Sequence, residues 1–316
     1  MAIPTDSRAL NQVLSLTRDE VRPQLIDLFF NSNPLFARLM AKNKVKVSGG
    51  DEIRVPFVYD QLPGDWYVGL GPFATTQKEI ITVMRFDWKQ VYAEYTLPEI
   101  DIWKNSGTHQ LVDLVAASMK VATMTIAEKM GTALYNDGTN TAQLTGLRLA
   151  IATTGTYGKI VRGTDPIGTA VKGNVDTTGG PITIPFINSL MGTASRGGAV
   201  KPDLLLTTQT LWDAVWARVQ PQQRFDAKSG PSWDVGVDYI NINGSALVAD
   251  SHCPTGYLFG LNTDYTDLFV GEGKDFYVRG PYELQEQDGV TAQTVLYTEL
   301  CISSPGLFFN ASGLTA

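Results

Sequence analysis

The chain has 316 residues, enough to bury a sizeable core and to form one large domain or two ordinary ones. Its 43% hydrophobic and 18% charged residues are typical of an ordered globular protein, and its net charge of −7 argues against a dedicated nucleic-acid binder, because phosphate affinity depends on clustered Lys and Arg. No apolar run is long enough to span a membrane, and residues 1–13 lack the basic start and apolar core of a secretory signal, so we expect folding in a cytoplasm.

The first 43 residues predict an arm followed by short helices. Residues 1–17 are largely polar and contain Pro4, which favours an extended arm. A short helix is expected from Pro23, because proline suits the first helical turn, and residues 31–34 should end it. A second helical piece is predicted from four apolar residues that share one face: Leu35, Phe36, Leu39 and Met40.

Residues 44–97 predict a long β-hairpin. Alternating side chains, the period of a strand, run from Ile53 to Tyr59 and again from Ile80 to Trp88. Between them lies QLPGDWYVGLGPFATTQK (61–78), which is far longer than a usual hairpin turn. Its glycines and prolines forbid a long regular element, although it carries large apolar side chains. A loop of this length is expected to be functional.

The strongest helical pattern covers residues 108–136. Apolar residues recur at steps of three and four from Leu111 to Ala133, which keeps them in one stripe on one face. The predicted helix is about 28 residues, or roughly 42 Å, long. That is well beyond the usual three turns, so we expect it to brace an elongated part of the molecule and to stop near Gly138.

The second half of the chain predicts a mixture of helices and strands. Residues 145–185 have no clear period and predict loops and short strands, whereas residues 186–194 predict a helix. Residues 202–219 predict a buried strand followed by a helix, and Asn243-Gly244 is a strong hairpin-turn signal. Further strands are expected at 257–259, at 267–270 and at 291–302, where a last long strand must return to an earlier sheet.

The sequence offers little that indicates catalysis. It contains no Walker loop, dinucleotide-binding fingerprint, zinc-protease helix or hydrolase elbow. His252 and Cys253 are adjacent, but neighbours on a strand point to opposite faces, so we interpret them as a strand end entering a turn rather than as a nucleophile and its base. Cys253 and Cys301 are expected to be buried small hydrophobes. We therefore predict no catalytic, cofactor-binding or metal-binding residue.

Taken in order, these elements resemble the major capsid proteins of tailed double-stranded DNA bacteriophages, which have the α+β Hong Kong 97-type fold. The resemblance covers nearly the whole chain. It depends on the polar arm, the long hairpin with its glycine- and proline-rich end, the long helix and the strand–helix unit ending in VQPQQRF (219–225). INGSALVADSHCPTGYLFGLNTDYTDLF (242–269) and a closing strand complete it.

The resemblance implies a division into four parts. These are an N-terminal arm with short helices (1–43), an extended hairpin loop (44–97), a peripheral domain (98–184 with 281–316) built on a spine helix (108–136), and an axial domain (185–280).

The resemblance also implies that the extended loop and the arm contact neighbouring subunits. An isolated hairpin is marginally stable in water, so a partner surface would supply what the monomer lacks. Some relatives crosslink covalently through a loop lysine; Lys78 lies at the loop base, and we interpret it as solvated surface. The expected contacts are Trp66, Tyr67, Leu70 and Phe73 in the loop, and Leu10, Val13 and Leu14 in the arm.

The implied function is structural rather than enzymatic. Subunits would assemble as hexamers and pentamers into an icosahedral virion capsid, with assembly in the host cytoplasm. Some relatives carry a long N-terminal scaffolding segment, whereas here the arm begins almost at Met1, so a separate scaffolding protein is expected. Other expected partners are a portal, a possible cement protein and packaged double-stranded DNA held by non-specific contacts, and no membrane is expected.

Three alternatives remain open. The first is an encapsulin, a bacterial cargo-holding compartment with the same fold; the polar arm and the hairpin's length favour the phage capsid over it. The second is a cysteine hydrolase that uses His252 and Cys253, for which fast thiol labelling of the native protein would be diagnostic. The third is a tail-tube protein, which the long helix and the strand–helix unit disfavour because tube proteins resemble mostly β-structures.

Overall fold

A computed structural model describes residues 33–69, 77–104, 114–195, 200–219, 239–284 and 287–316. These residues form two main sheets, of five and six strands, together with a long helix and a projecting hairpin. None of the helices in these ranges combines the length and apolar character needed to cross a membrane.

Seven α-helices are present in the described residues: α1 (Pro34–Lys42), α2 (Glu99–Lys104), α3 (Leu114–Leu134), α4 (Leu147–Ala150), α5 (Pro166–Ala170), α6 (Ile184–Thr193) and α7 (Gln209–Val219). α1 confirms the second predicted helical piece. Its first turn is capped by Asn33, whose side-chain oxygen accepts a hydrogen bond from Phe36 N at 3.1 Å. The arm and the helix predicted from Pro23 lie outside the described residues.

The strands, in chain order, are β1 (Lys44–Val47), β2 (Glu52–Val58), β3 (Ile81–Asp87), β4 (Lys89–Pro98), β5 (Thr156–Tyr157), β6 (Ile160–Val161), β7 (Asn174–Asp176), β8 (Gly180–Pro181), β9 (Leu204–Thr207), β10 (Tyr239–Ile242), β11 (Ser245–Ala249), β12 (Leu258–Leu261), β13 (Thr266–Gly271), β14 (Tyr277–Glu283), β15 (Gly289–Ile302), β16 (Phe309–Ala311) and β17 (Leu314–Thr315). The short elements between β5 and β8 confirm the predicted loops and short strands. α6 and the β9–α7 unit likewise confirm their predictions, and α6 begins two residues earlier than expected.

The five-stranded sheet is organised around β15, a strand of 14 residues. β13 and β14 pair with one edge of β15, one after the other, and β4 pairs with the opposite edge. All of these pairs are antiparallel, and β1 adds to β13 in parallel. The prediction that the last long strand returns to an earlier sheet is confirmed, and the strand begins two residues before the predicted position.

The six-stranded sheet has the order β10-β11-β9-β12-β16-β7, and its central strands β9 and β12 are buried on both faces. Along β9, Leu204 and Leu206 belong to the core that also contains α1 and α3, whereas Leu205 belongs to a second core with α6 and α7. The side-chain period of two therefore divides one apolar strand between two cores. Asn243 and Gly244, with φ of 51° and 82°, form the predicted turn between β10 and β11.

The projecting hairpin is shorter than predicted. β2 and β3 pair from Glu52 opposite Asp87 to Val58 opposite Ile81. The predicted span of 44–97 is too long at both ends, because β1 pairs with β13 and β4 pairs with β15 in the five-stranded sheet. Alternation indicates which face of a strand is buried but not which strand lies beside it, and this is why sequence alone extended the hairpin into the sheet.

The long helix is α3, whose described part has 21 residues, or roughly 32 Å. The N-terminal end predicted for it, from residue 108, lies in the range 105–113 outside the described residues. The predicted apolar stripe is confirmed in the second half of the helix, where Ala122, Ile126, Met130 and Ala133 are buried, whereas Val115 and Met119 nearer its start are half-buried. Gly138 adopts φ of 91° shortly after the helix ends, as expected of a residue at a helix stop.

The two sheets cross the boundaries drawn from sequence. Residues 185–280 were predicted to form one axial part. However, β13 and the first four residues of β14, which lie in this range, belong to the sheet of β4 and β15. Conversely, β7 and β16 belong to the six-stranded sheet, although both were expected in the peripheral part. These pairings join segments about 50 or more residues apart, which no local pattern specifies. The division into domains stays a prediction.

Candidate inter-subunit surfaces

The loop that joins β2 to β3 is fixed at its base. Tyr59 N donates to Ile80 O at 3.0 Å, and the Tyr59 hydroxyl donates to Glu79 O at 2.8 Å. Lys78 Nζ lies 2.8 Å from the Asp60 carboxylate and donates to the backbone oxygen of Gln61 at 3.0 Å. The hydrogen bond from Lys78 lowers the pKa of Asp60. Lys78, the residue considered for crosslinking, therefore holds its own loop together.

Beyond this base the described loop exposes its apolar side chains. Residues 61–69 are all exposed, and the exposed fraction reaches 98% for Trp66, 93% for Val68, 65% for Leu62 and 61% for Tyr67. Burying one such side chain contributes about 1.5–3 kcal/mol. Contiguous exposed apolar patches often serve as interaction sites, so this segment is a candidate contact surface. Leu70 and Phe73, the other two predicted loop contacts, lie outside the described residues, as do Leu10, Val13 and Leu14.

A second exposed aromatic surface was not predicted. Tyr92 on β4 and Tyr277 on β14 both lie opposite Val295 of β15, so they share one face of the five-stranded sheet, and Tyr282 lies farther along β14. Their exposed fractions are between 45% and 60%. Trp103 on α2 is exposed as well. The alternation of β4 could have placed Tyr92 on the face opposite Ala93, but the partner strand that aligns Tyr277 with it could not be predicted.

A groove runs between β4 and α3. It has a volume of about 950 Å³ and is lined by residues 89–95 of β4, by α3 side chains between Ala117 and Ala133, and by residues 142–144. The lining is mostly apolar. A volume of this size is at the upper end of the range found for pockets that enclose a ligand, so the groove has room for a short segment of polypeptide.

His252 and Cys253 do not form a nucleophile and base. Cys253 Sγ is buried, with the backbone oxygens of Pro254 and Tyr257 at 3.7 and 3.8 Å, and burial raises the pKa of its thiol. A thiol held in the neutral form is a poor nucleophile. Cys301 is also a free, buried cysteine, so both are the small buried hydrophobes predicted.

The imidazole of His252 instead lies between two carboxylates on different elements. Its Nδ1 is 3.3 Å from Asp250 Oδ1, and its Nε2 is 3.1 Å from Glu128 Oε1 on α3. The contact between Nε2 and Glu128 is close but does not have hydrogen-bond geometry. Asp250 also accepts a hydrogen bond from the Tyr135 hydroxyl at 2.9 Å. The close approach requires Gly131, because a Cβ there would lie 2.8 Å from the imidazole. This cluster ties α3 to the loop that follows β11.

Glu299 is a fully buried carboxyl in β15. Its Oε1 accepts a hydrogen bond from Thr145 N at 2.7 Å, which ties β15 to the loop after α3. Burial raises the pKa of Glu299 to about 7 from its ordinary value of 4.5, and the hydrogen bond from Thr145 opposes part of this effect. Nowhere in the described part of the chain do three or more His, Cys, Asp or Glu side chains meet in an arrangement that could hold a metal ion.

Comparison with solved structures identifies the fold. The chain matches the cyanophage A-1(L) capsid asymmetric unit with a TM-score of 0.78 at 16% identity, covering 96% of this chain and 98% of that one. It matches the capsid of the native GTA particle with a TM-score of 0.69 at 10% identity, covering 99% and 100%. The holo-SrpI encapsulin complex from Synechococcus elongatus PCC 7942 gives 0.66 at 12% identity, covering 99% and 96%.

These matches confirm the predicted α+β Hong Kong 97-type fold. No protein-family model matches the sequence, and no curated protein matches it.

Proposed function

We propose that this chain, which has the Hong Kong 97-type fold, is the major capsid protein of a tailed double-stranded DNA bacteriophage and assembles into its icosahedral shell. The observation that carries the proposal is the exposed loop segment on this fold, with Trp66 at 98% exposure. A single chain gains nothing from placing such side chains in water, whereas a repeated neighbour can bury them.

In the proposed shell the loop packs against an adjacent subunit through Trp66, Tyr67, Leu70 and Phe73. The arm contributes contacts through Leu10, Val13 and Leu14. A loop that docks on a different surface of the next copy makes a head-to-tail contact, and such contacts close into rings when the rotation allows. Rings of six and five subunits are the units from which a closed icosahedral shell is built.

The proposed domains follow the sheets rather than the ranges drawn from sequence. The six-stranded sheet with α6 and α7 would form the axial domain, and the five-stranded sheet with α3 would form the peripheral domain. The cluster of Asp250, His252 and Glu128 lies between these two units. It would fix the angle at which the spine helix meets the axial domain.

The remaining expected partners belong to the same proposal. A separate scaffolding protein, a portal and a possible cement protein would join the subunit in the virion, with assembly in the host cytoplasm. Packaged DNA would meet the inner face through weak, non-specific contacts, because a chain of net charge −7 has no excess of cations to hold phosphate.

An encapsulin shell is the second candidate, since the encapsulin match covers the chain as fully as the phage capsid matches. A cargo enzyme that copurifies with the particles would favour it. The cysteine hydrolase is not proposed, because burial raises the pKa of the Cys253 thiol and its Sγ contacts the backbone oxygens of Pro254 and Tyr257.

The test is electron microscopy and sedimentation of the full chain expressed with its scaffolding protein. We expect hollow particles, and replacement of residues 62–77 by Asn-Gly should abolish them while the subunit still folds. Val161→Ser, at an exposed side chain of the β5–β6 hairpin, is the control substitution and should leave particle yield unchanged. Sedimentation of only monomers or dimers in the presence of scaffold would exclude the capsid function.

A further inference from the structure

The outer edge of β4 has no strand partner among the described residues. β4 pairs with β15 through ten consecutive residue pairs, and no other described strand pairs with it. The groove between β4 and α3 lies against residues 89–95 of this strand. An edge strand presents a row of backbone N–H and C=O groups, and an extended segment can add to it as a further strand.

The helix wall of the groove leaves room for such a segment. On α3 the groove is lined by small side chains, including Ala117, Ser118, Val121 and Ala122, and Val121 is 39% exposed. On the strand wall, Val91, Ala93 and Tyr95 alternate with side chains on the opposite face of the sheet. The site therefore offers main-chain hydrogen bonds on one side and an apolar surface on the other.

The described chain begins on α3, the helix that forms one wall of this groove, but on a different face of that helix. Asn33, its first residue, donates from Nδ2 to the backbone oxygen of Ala127 on α3 at 3.1 Å. The next residues along α3, Glu128 and Lys129, line the groove. The attachment point of the 32 residues that precede Asn33 is therefore separated from the groove by about the width of one helix, roughly 10 Å.

The arm has the length and composition to reach and fill the site. The roughly 19 residues from Leu14 to Asn33 can span about 63 Å if extended and about 28 Å if helical, so either conformation allows Leu14 to reach the groove. Residues 89–95 extend over about 23 Å as a strand. Tethering makes docking an intramolecular event whose effective concentration is set by the linker, so a linker long enough to span the two sites favours the arm of the same chain over segments of other molecules.

We infer that residues 8–17 of the arm dock in the groove of their own subunit before assembly, as a strand added to the edge of β4 with Leu10, Val13 and Leu14 covering the apolar wall. The inference goes beyond the proposed function, because it concerns the unassembled subunit and holds whether or not shells form. On assembly the same arm segment can leave for the groove of a neighbour, as in domain swapping.

The test uses the full chain, purified before assembly, with a cysteine introduced at Val121 and another at Leu10, Val13 or Leu14. The natural cysteines Cys253 and Cys301 are buried and should not react. A short bismaleimide linker, which tolerates small differences in register, should join the arm to α3 within one chain, giving a crosslinked monomer by mass spectrometry of its peptides. The control pairs the arm cysteine with Val161→Cys, which is exposed outside the groove and should give no such product.

Two other occupants are distinguished by the same experiment. A crosslinked dimer in place of the monomer would mean that the arm of a second copy fills the groove, and a dimer formed only by Trp66→Cys with Val121→Cys would mean that a neighbour's loop fills it. Either result overturns the inference, as does the absence of any crosslink.

A second variant gives an independent measure. Val121→Trp should fill the groove and release the arm, and trypsin should then cut after Arg8 and Arg18 about tenfold faster, because cleavage follows the population of the released arm. Circular dichroism establishes that the variant is folded. Equal cleavage rates in a folded variant would overturn the inference, while particle formation in the same preparation reports separately on the proposed function.

Discussion

β9 and the loop segment 61–69 are both apolar, but they lie in opposite environments. In β9 the residues Leu204, Leu205 and Leu206 have exposed fractions of 2% or less, whereas in the loop Trp66 and Val68 exceed 90%. The difference lies in what covers them: β9 is packed between two cores, and the loop extends beyond the last pair of its hairpin. Apolar composition therefore does not by itself establish that a segment is buried by its own chain.

The largest expected effect is in the buried region. Phe309 in β16 is fully buried and packs so closely on Gly260 that a Cβ there would lie 2.0 Å from the ring. Phe309→Ala should lower the free energy of unfolding by about 3–5 kcal/mol through the lost contacts and the cavity. Urea unfolding measures this loss of stability. Tyr67→Ala, which truncates an exposed aromatic side chain in the loop, is the control. Equal losses for the two variants would contradict the comparison.

A second prediction concerns the pH dependence of the interior. Burial raises the pKa of Glu299 to about 7, above its ordinary 4.5, so the folded state holds this proton more tightly than the unfolded state. The stabilisation is complete below pH 4.5 and is lost as the pH rises through about 7. Glu299→Gln cannot ionise, and it should be more stable than the parent at pH 8 by on the order of 3 kcal/mol.

Urea unfolding at pH 5 and pH 8 measures the effect of Glu299→Gln. The difference between variant and parent should be small at pH 5 and large at pH 8. The exposed Glu283→Gln is the control and should follow the parent at both values. If the stability of the parent protein and of Glu299→Gln changed equally between pH 5 and pH 8, the buried carboxyl would not be the cause of the pH dependence.

The smallest effect on folding is expected in the loop. Trp66→Ala should change the free energy of unfolding of the unassembled subunit by less than about 0.5 kcal/mol, because the side chain is solvated there. Particle yield should nevertheless fall, since tryptophan anchors carry much of the energy of an interface. Calorimetry and particle counts by microscopy measure the two quantities. Trp66→Phe keeps an aromatic ring and should retain most of the yield; a strongly destabilised Trp66→Ala subunit would place the ring inside its own fold.

Sequence patterns predicted the elements whose signals are local. The α3 stripe, the β9–α7 unit and the Asn243-Gly244 turn each depend on neighbours within a few residues, and each is confirmed. The loop segment was also recognised, because glycine and proline punctuation is local.

What could not be predicted are the pairings between distant segments. β4 was assigned to the hairpin because its alternation continues that of β3, yet its partner β15 lies about 200 residues away. β16 has three residues and joins the six-stranded sheet only through contacts with β12 and β7. The contact of Glu128 with His252 likewise joins residues that share no sequence pattern. The exposed aromatic surface could not be predicted for the same reason. Tyr92 and Tyr277 share a face only because both of their strands pair with β15.

The continuity of the hairpin with β4 has a mechanical consequence. β3 passes into β4 through the single residue Trp88, so tension applied at the loop tip is carried by the chain directly into β4. The ten pairs between β4 and β15 are bonded across the strand direction, so a pull along β4 loads them together in shear instead of opening them one after another. A neighbour that grips the loop therefore pulls on the central strand of the five-stranded sheet, and the load spreads from β15 through β13 to β1.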